Sequence, residues 1–309
     1  MPPPLVHIGY HKTGTTWLQR RLFVPEHGYR PLMTHEEVWA ELVAPHDLVF
    51  DPAAARDALE ARRAAPAGPG MADVISSELL SGNPFYGGRE SAAMARRLHA
   101  VVPQARILIT IREQIAAAAS IYMQYILRGG TERPERFFAG APSLGYPAFS
   151  PGHLKYHRLI GLYRDLFGPG NVHVFTQEGF IADMAGTLGA LAAFAGNGPF
   201  AERPPPDPSP VGVSNAEITA GVLRRINHFR DGPAGRGPVL DLGRAGDFLF
   251  RAAGRAGRHP ALGKIARRRP VTGFVRRRFA GEFAASNRAL HRMLGEQVDL
   301  SRYEMADAV

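Results

Sequence analysis

Residues 5–23 read LVHIGYHKTGTTWLQRRLF, and this stretch constrains the fold more than any other. A short apolar strand over 5–9 meets Gly9 and Gly14, with Lys12 between them. An amphipathic helix follows over 15–23. A strand that turns through glycines directly into a helix is the opening of a parallel strand–helix unit, because parallel neighbours need a crossover connection.

The rest of the first two-thirds repeats that alternation. Strands are predicted at 72–77 (ADVISS), 106–111 (RILITI) and 171–176 (NVHVFT). Helices are predicted at 89–100, 114–127, 153–167 and 180–194, the last stopped by Gly196. The strands are continuously apolar, which fits a parallel sheet covered on both faces. The segment 62–70 (RRAAPAGPG) reads as an exposed loop. At 202–210, ERPPPDPSP is a proline-rich connector that excludes helix and central strand. Beyond it, Ser214 and Glu217 have the spacing of a capping box. A closing helix is expected at 283–294. We therefore expect a single domain over 1–309: an α/β core at 1–198, a connector at 199–213 and a helical part at 214–309.

With 309 residues, 45% of them hydrophobic, the chain can bury a full core. It has no cysteine, so disulfides, thiolate metal sites and a cysteine nucleophile are excluded. No signal-peptide pattern opens the sequence and no apolar run is long enough to span a bilayer, so a cytoplasmic location is expected. The net charge is +9, yet ten arginines and lysines and no acidic residue fall within 251–278. The rest of the chain is close to neutral.

Glycines after a strand let backbone N–H groups converge, and the next helix adds its N-terminal dipole. The loop over 9–16 is therefore read as a phosphate cradle, with the Thr15 and Thr16 hydroxyls as further donors. It departs from the kinase pattern. Gly9 and Gly14 have the Walker A spacing, but a threonine follows Gly14 and the lysine stands two residues before it. The next apolar strand ends in Arg112 where a metal-holding aspartate would be expected.

Lys12-Thr13-Gly14-Thr15-Thr16-Trp17 resembles the 5′-phosphosulfate loop of sulfotransferases that use 3′-phosphoadenosine 5′-phosphosulfate (PAPS), with His11 in place of the family's usual proline. The resemblance implies a P-loop-like parallel sheet flanked by helices, here with a helical, basic C-terminal elaboration. It implies a second anion site for the 3′-phosphate, made by an arginine at a strand end and a serine eight residues on. Arg112 and Ser120 match that pattern, while Gln114 departs from a proline common there. PAPS is then the donor, adenosine 3′,5′-bisphosphate the product, and no metal is required. SSELLSGNPF resembles the family's acceptor-side loop, and NVHVFTQEGF a later strand of its bacterial and carbohydrate branches.

Within that reading Lys12 serves the bridging oxygen between phosphate and sulfuryl group, and Trp17 lies near the adenine. Glu78, just past the strand at 72–77, is the expected base, with His7 and His11 as rivals. Phe85, Tyr86 and Tyr122 are expected at the acceptor, a small molecule or glycan; Tyr125 shares the helix of Tyr122. His153 and His157 have metal-ligand spacing without a third ligand, and are read as packing residues. The segment 251–278 is a solvated basic face, a positive rim at the active site, or a peripheral membrane contact; no nucleic-acid motif accompanies it. A magnesium-dependent kinase and a non-catalytic polyanion- or membrane-binding scaffold are the competing functions.

Overall fold

The computed structural model describes residues 2–306 apart from 142, 212–214, 236 and 258. Among the described residues five strands form one all-parallel sheet: β1 (Leu5–His7), β2 (Tyr29–Pro31), β3 (Ala72–Ser76), β4 (Arg106–Ile111) and β5 (Val172–Thr176), in the order β2-β3-β1-β4-β5. The register pairs Val6 with Ile75 on one side and with Ile107 on the other.

Alternate residues of each strand feed two separate cores, and this is why the strands read as unbroken apolar runs. Val6, Ile75, Ile107 and Ile109 join the core beneath helices Ser91–Val101, Gln114–Leu127 and His157–Phe167. Leu5, Val74, Leu108 and Phe175 join the other, with Trp17, Leu18 and Leu22 from the first helix and Leu188 and Leu191 from helix Met184–Ala195. The first core also takes in Val271, Val275 and Leu290, so the C-terminal helices share it with the sheet.

The helix after β1 covers one face and the helix after β4 covers the other, although these strands are neighbours. Their exits diverge, opening a crevice at the carboxyl edge of the sheet. The loop at 9–14 and the Arg112 corner both lie there.

Some expected elements differ in detail. The helix expected at 153–167 is a short turn, Pro151–Leu154, then Lys155 outside helical geometry, then His157–Phe167. His153 and His157 therefore do not share a helix face. His153 packs on Tyr10, while His157 Nδ1 pairs with Ser286 Oγ at 2.7 Å. The helix expected at 180–194 is two, Gln177–Ala182 and Met184–Ala195, broken at Asp183, whose carboxylate caps the second. Gly196 ends it in the left-handed conformation, as expected.

The loop expected at 62–70 begins later, because helix Pro52–Ala64 runs into it. Arg62 pairs with Glu41, and Arg63 is buried against Asp73 of β3, which also takes the Arg30 guanidinium. That buried triad holds edge strand β2 to β3. Removing one partner would leave charge uncompensated, at a cost of about 3–5 kcal/mol. Of the expected capping box, Ser214 lies outside the described residues. The Glu217 carboxylate accepts from Thr272 N and Oγ1 (2.8 and 2.6 Å), tying the helical part together across a long sequence gap.

Candidate active site

Two glycines shape the loop after β1. Gly14 has φ +94°, a conformation open to glycine, and starts helix Thr15–Trp17, which continues as a wider i→i+5 turn over Leu18–Leu22. At Gly9 a Cβ would stand 2.1 Å from Thr110 Oγ1 and 2.4 Å from His7 Nε2. The absent side chain makes room for a chain of buried hydrogen bonds. Ser76 Oγ pairs with His7 Nδ1 (2.8 Å), His7 Nε2 with Thr110 Oγ1 (3.3 Å) and Thr110 with Thr13 Oγ1 (2.6 Å); Thr13 then donates to the Tyr10 carbonyl (2.5 Å). Burial lowers the His7 pKa to about 3, so it is neutral and bound on both nitrogens. His7 thus stiffens the loop from behind, outside the crevice, and Thr13 turns its hydroxyl the same way.

Lys12 has φ +68°, the one non-glycine residue among those described with a positive φ. A left-handed lysine costs about 1–2 kcal/mol. Such strain persists where surrounding structure imposes it, and it concentrates at working sites.

The crevice holds a cavity of about 350 Å3. From the first loop and helix it is lined by His11, Lys12, Gly14, Thr15, Thr16 and Trp17; from the end of β3 by Glu78; from the end of β4 and its helix by Arg112, Ser120 and Gln124. Arg112 Nη1 donates to the Lys12 carbonyl at 3.2 Å, joining the loop after β1 to the end of β4. The Tyr156 hydroxyl donates to the Arg112 carbonyl at 2.7 Å. The neighbouring Glu113 caps helix Gln114–Leu127, accepting from Ile115 N and Ala116 N. The Arg112–Ser120 spacing thus becomes one wall of the cavity: a strand end and a point two turns up the helix it starts.

Cations dominate this cavity. Burial, and then the Arg112 guanidinium, hold the Lys12 ammonium below its ordinary pKa; Glu78 works against them and Arg128 adds to them. His11 is pushed down to about 3, chiefly by burial, with the His153 imidazole and the Arg128 guanidinium acting in the same direction, and is neutral. An incoming anion relieves this crowding of positive charge. Three residues that line the cavity each carry a buried polar atom without a hydrogen-bond partner: His11 Nδ1, Trp17 Nε1 and Gln124 Oε1.

Glu78 lies just beyond β3 in the turn Glu78–Ser81. Its Oε2 accepts from Gln19 Nε2 at 3.3 Å and lies 4.0 Å from His35 Nδ1. The opposite wall is apolar. The Trp17 ring meets Phe180 at 5.1 Å between centroids, and Ile181 and Met184 extend the surface. Sequence reading did not single out Phe180, Ile181, Met184 or Gln177 for the site. The available signal was their position straight after a parallel strand, whose carboxyl end must border the crevice. Pro208, Pro210 and Val211 of the connector also close the cavity. The connector is pinned by Arg21–Asp207 (3.2 Å) and by Arg203 on the Pro25 and Glu26 carbonyls.

A second cavity, about 740 Å3, lies further along the helix Gln114–Leu127. Phe85 and Tyr86 line it with Tyr125, Phe137, Phe149 and Arg128. Tyr122 does not. It is buried and donates to the Glu132 carbonyl at 2.9 Å, while Tyr125, three residues on, faces the cavity. The Arg128 guanidinium sits 5.7 Å over the Phe85 ring and is close enough to bear on both Lys12 and His11, which links the two cavities.

No described residue of 251–278 lines either cavity. Among the described residues no cluster of three or more histidines, acids or cysteines could hold a metal ion, and no helix is long and apolar enough to cross a membrane.

No protein-family model matches the chain, and a search of curated proteins finds no match. Among solved structures, a sulfotransferase from Alicyclobacillus acidocaldarius is similar in fold. It is 19% identical, with a TM-score of 0.48, over 74% of this chain and 94% of that one.

Proposed function

We propose that the protein is a PAPS-dependent sulfotransferase on a P-loop-like fold. The observation that carries this reading is the meeting of Lys12, Thr15, Thr16, Arg112 and Ser120 in one cavity, with Arg112 hydrogen-bonded to the Lys12 carbonyl. Two anion-binding corners, one on each side of a lysine, suit a donor phosphorylated at both its 3′ and 5′ ends. The apolar wall of Trp17, Phe180, Ile181 and Met184 suits the adenine.

When bound, PAPS supplies an activated sulfuryl group. Backbone N–H groups of the loop, with the Thr15 and Thr16 hydroxyls, hold the 5′-phosphate. Arg112 and Ser120 hold the 3′-phosphate, the guanidinium as a permanently charged fork. The acceptor oxygen forms its bond to sulfur as the bond from sulfur to the bridging oxygen breaks. Lys12 stabilises the charge left on that oxygen. Glu78, whose charge already bears on Lys12, takes the acceptor proton. A second assignment of the base has its own support: His11 is neutral, lines the same cavity and carries an Nδ1 with no hydrogen-bond partner. Glu78→Gln and His11→Asn separate the two, since only loss of the base removes the acidic limb of a rate–pH profile, the fall in rate as the base is protonated. The acceptor, a small molecule or glycan, occupies the larger cavity.

Thermal unfolding with adenosine 3′,5′-bisphosphate, beside ATP with Mg2+, tests the reading. A hundredfold excess over the dissociation constant adds about 2.7 kcal/mol of stability. The expected result is a rise with the bisphosphate that Arg112→Ala removes. A rise with ATP–Mg2+ alone would return the loop to the kinases, and no rise with either would leave a scaffold without this site.

A further inference from the structure

The basic segment serves neither cavity, so its charge needs another account. Helix Arg244–Ala256 has two distinct faces. Gly246, Phe250 and Gly254 are buried, four residues apart. A Cβ at Gly246 would come within 2.6 Å of the Phe229 carbonyl oxygen, and one at Gly254 within 3.1 Å of the Asn215 side chain. The glycines therefore seat the helix tightly on the structure beneath. Arg244, Phe248, Arg251 and Arg255 form the opposite stripe, all exposed. Leu249 lies beside it, and Phe248 is 63% exposed. A surface helix normally keeps large apolar residues on its inner face; this one turns a phenyl ring outward between three guanidinium groups.

The pattern continues around the helix. Among the described residues, six of the sixteen exposed large hydrophobic ones fall within 239–265: Val239, Leu240, Leu242, Phe248, Leu249 and Ile265. All the described arginines and the lysine of 251–278 are exposed, and none forms an ion pair among the described residues. The nearby acids are already engaged. Asp241 accepts from Gly243 N at 2.8 Å, and Asp247 pairs with Arg230 at 3.0 Å.

We propose that the exposed stripe of helix Arg244–Ala256 docks on an anionic lipid bilayer. Phe248 and Leu249 enter the headgroup layer, and the surrounding arginines meet lipid phosphates. Charge complementarity selects this occupant. A nucleic acid would match the cations but leave the apolar side chains exposed, and a second copy of the chain would bring like charge against like charge. The loop that carries Val239 and Leu240 also supplies Pro233, Ala234 and Gly235 to the larger cavity, held by Ala234 N on the Arg128 carbonyl (2.9 Å). Docking thus places that cavity beside the membrane. The proposal does not depend on the sulfotransferase reading.

Co-sedimentation of the full chain with vesicles tests it, comparing pure phosphatidylcholine with phosphatidylcholine containing roughly a third phosphatidylglycerol. Binding is expected to the anionic vesicles alone and to weaken as salt rises. Phe248→Ser with Leu249→Ser should weaken it at least about tenfold. Arg251→Ser with Arg255→Ser should do the same, and serves as the second variant if the first fails to fold. Both should keep the parent melting midpoint. The proposal is overturned if anionic vesicles do not retain the protein, or if they retain the Phe248/Leu249 variant undiminished. Tighter binding to a DNA duplex than to vesicles would also overturn it, as would self-association, lost in that variant, without vesicle binding.

Discussion

The two cavities along helix Gln114–Leu127 were built in different ways. The smaller takes its polar groups from the ends of four neighbouring strands and from the helices that start there. The larger gathers side chains from 39, 83–86, 125–149 and 233–235, mostly loops and short turns. Parallel strands in register leave their carboxyl ends at one edge, so groups placed just past them converge by construction. Nothing comparable forces loops to converge. The first cavity should therefore tolerate little change at its charged groups, and the second should tolerate more.

The largest test of that contrast is Lys12→Ala. It should lower the turnover of sulfuryl transfer by about 10^2–10^3-fold, the usual scale for removing one preorganised electrostatic group. Alanine is strained at φ +68° as lysine is, so the melting midpoint should stay near that of the parent. Single-turnover rates would check this, and a variant that turns over normally would break the assignment of Lys12 to the reacting atoms.

A smaller effect is expected in the larger cavity. Tyr125→Ala or Phe85→Ala should raise the KM for an acceptor several-fold to about tenfold through lost contact area, leaving the bisphosphate-induced melting shift intact. If either abolished that shift, the two cavities would not be separable.

The smallest effect per group is in stability, and it should follow pH. Burial holds His7 and His11 near 3 and His153 near 4, against 6.5 when unfolded. The unfolded chain therefore binds protons that the folded one does not, and stability falls as pH drops below about 6.5. Near pH 5 unfolding should take up close to three protons from these groups, a slope of about 1.4 kcal/mol per pH unit for each. Urea unfolding measured between pH 4.5 and 7 would show it; a flat profile would mean that these imidazoles are not buried neutral.

Much of the small cavity was legible because its residues sit at fixed offsets from recognisable strands. Lys12 and Glu78 were readable from such offsets and Arg112 and Ser120 from the family resemblance, and the structure brings all four to one cavity. Offsets do not say which way a side chain points. Thr13 and Thr15 are two residues apart, yet Thr13 turns to the buried hydrogen-bond chain and Thr15 to the cavity. Tyr122 and Tyr125 show the same on one helix: the turn of the helix separates them, and only packing decides which faces the cavity. The connector at 202–210 was legible as chain that cannot be helix, but not as a wall of the cavity.

By itself the sequence determined the alternation of strand and helix, the parallel sheet and the glycine-shaped turn after β1. These follow from local periodicity and from backbone conformations that few residues adopt. The tertiary structure decided the rest: the strand order that puts β1 between β3 and β4, the coupling of Arg112 to the Lys12 carbonyl, the second cavity, and the outward turn of Phe248. Those depend on contacts between residues far apart in the chain, whose energies are set by mutual packing and burial, and no local pattern encodes them.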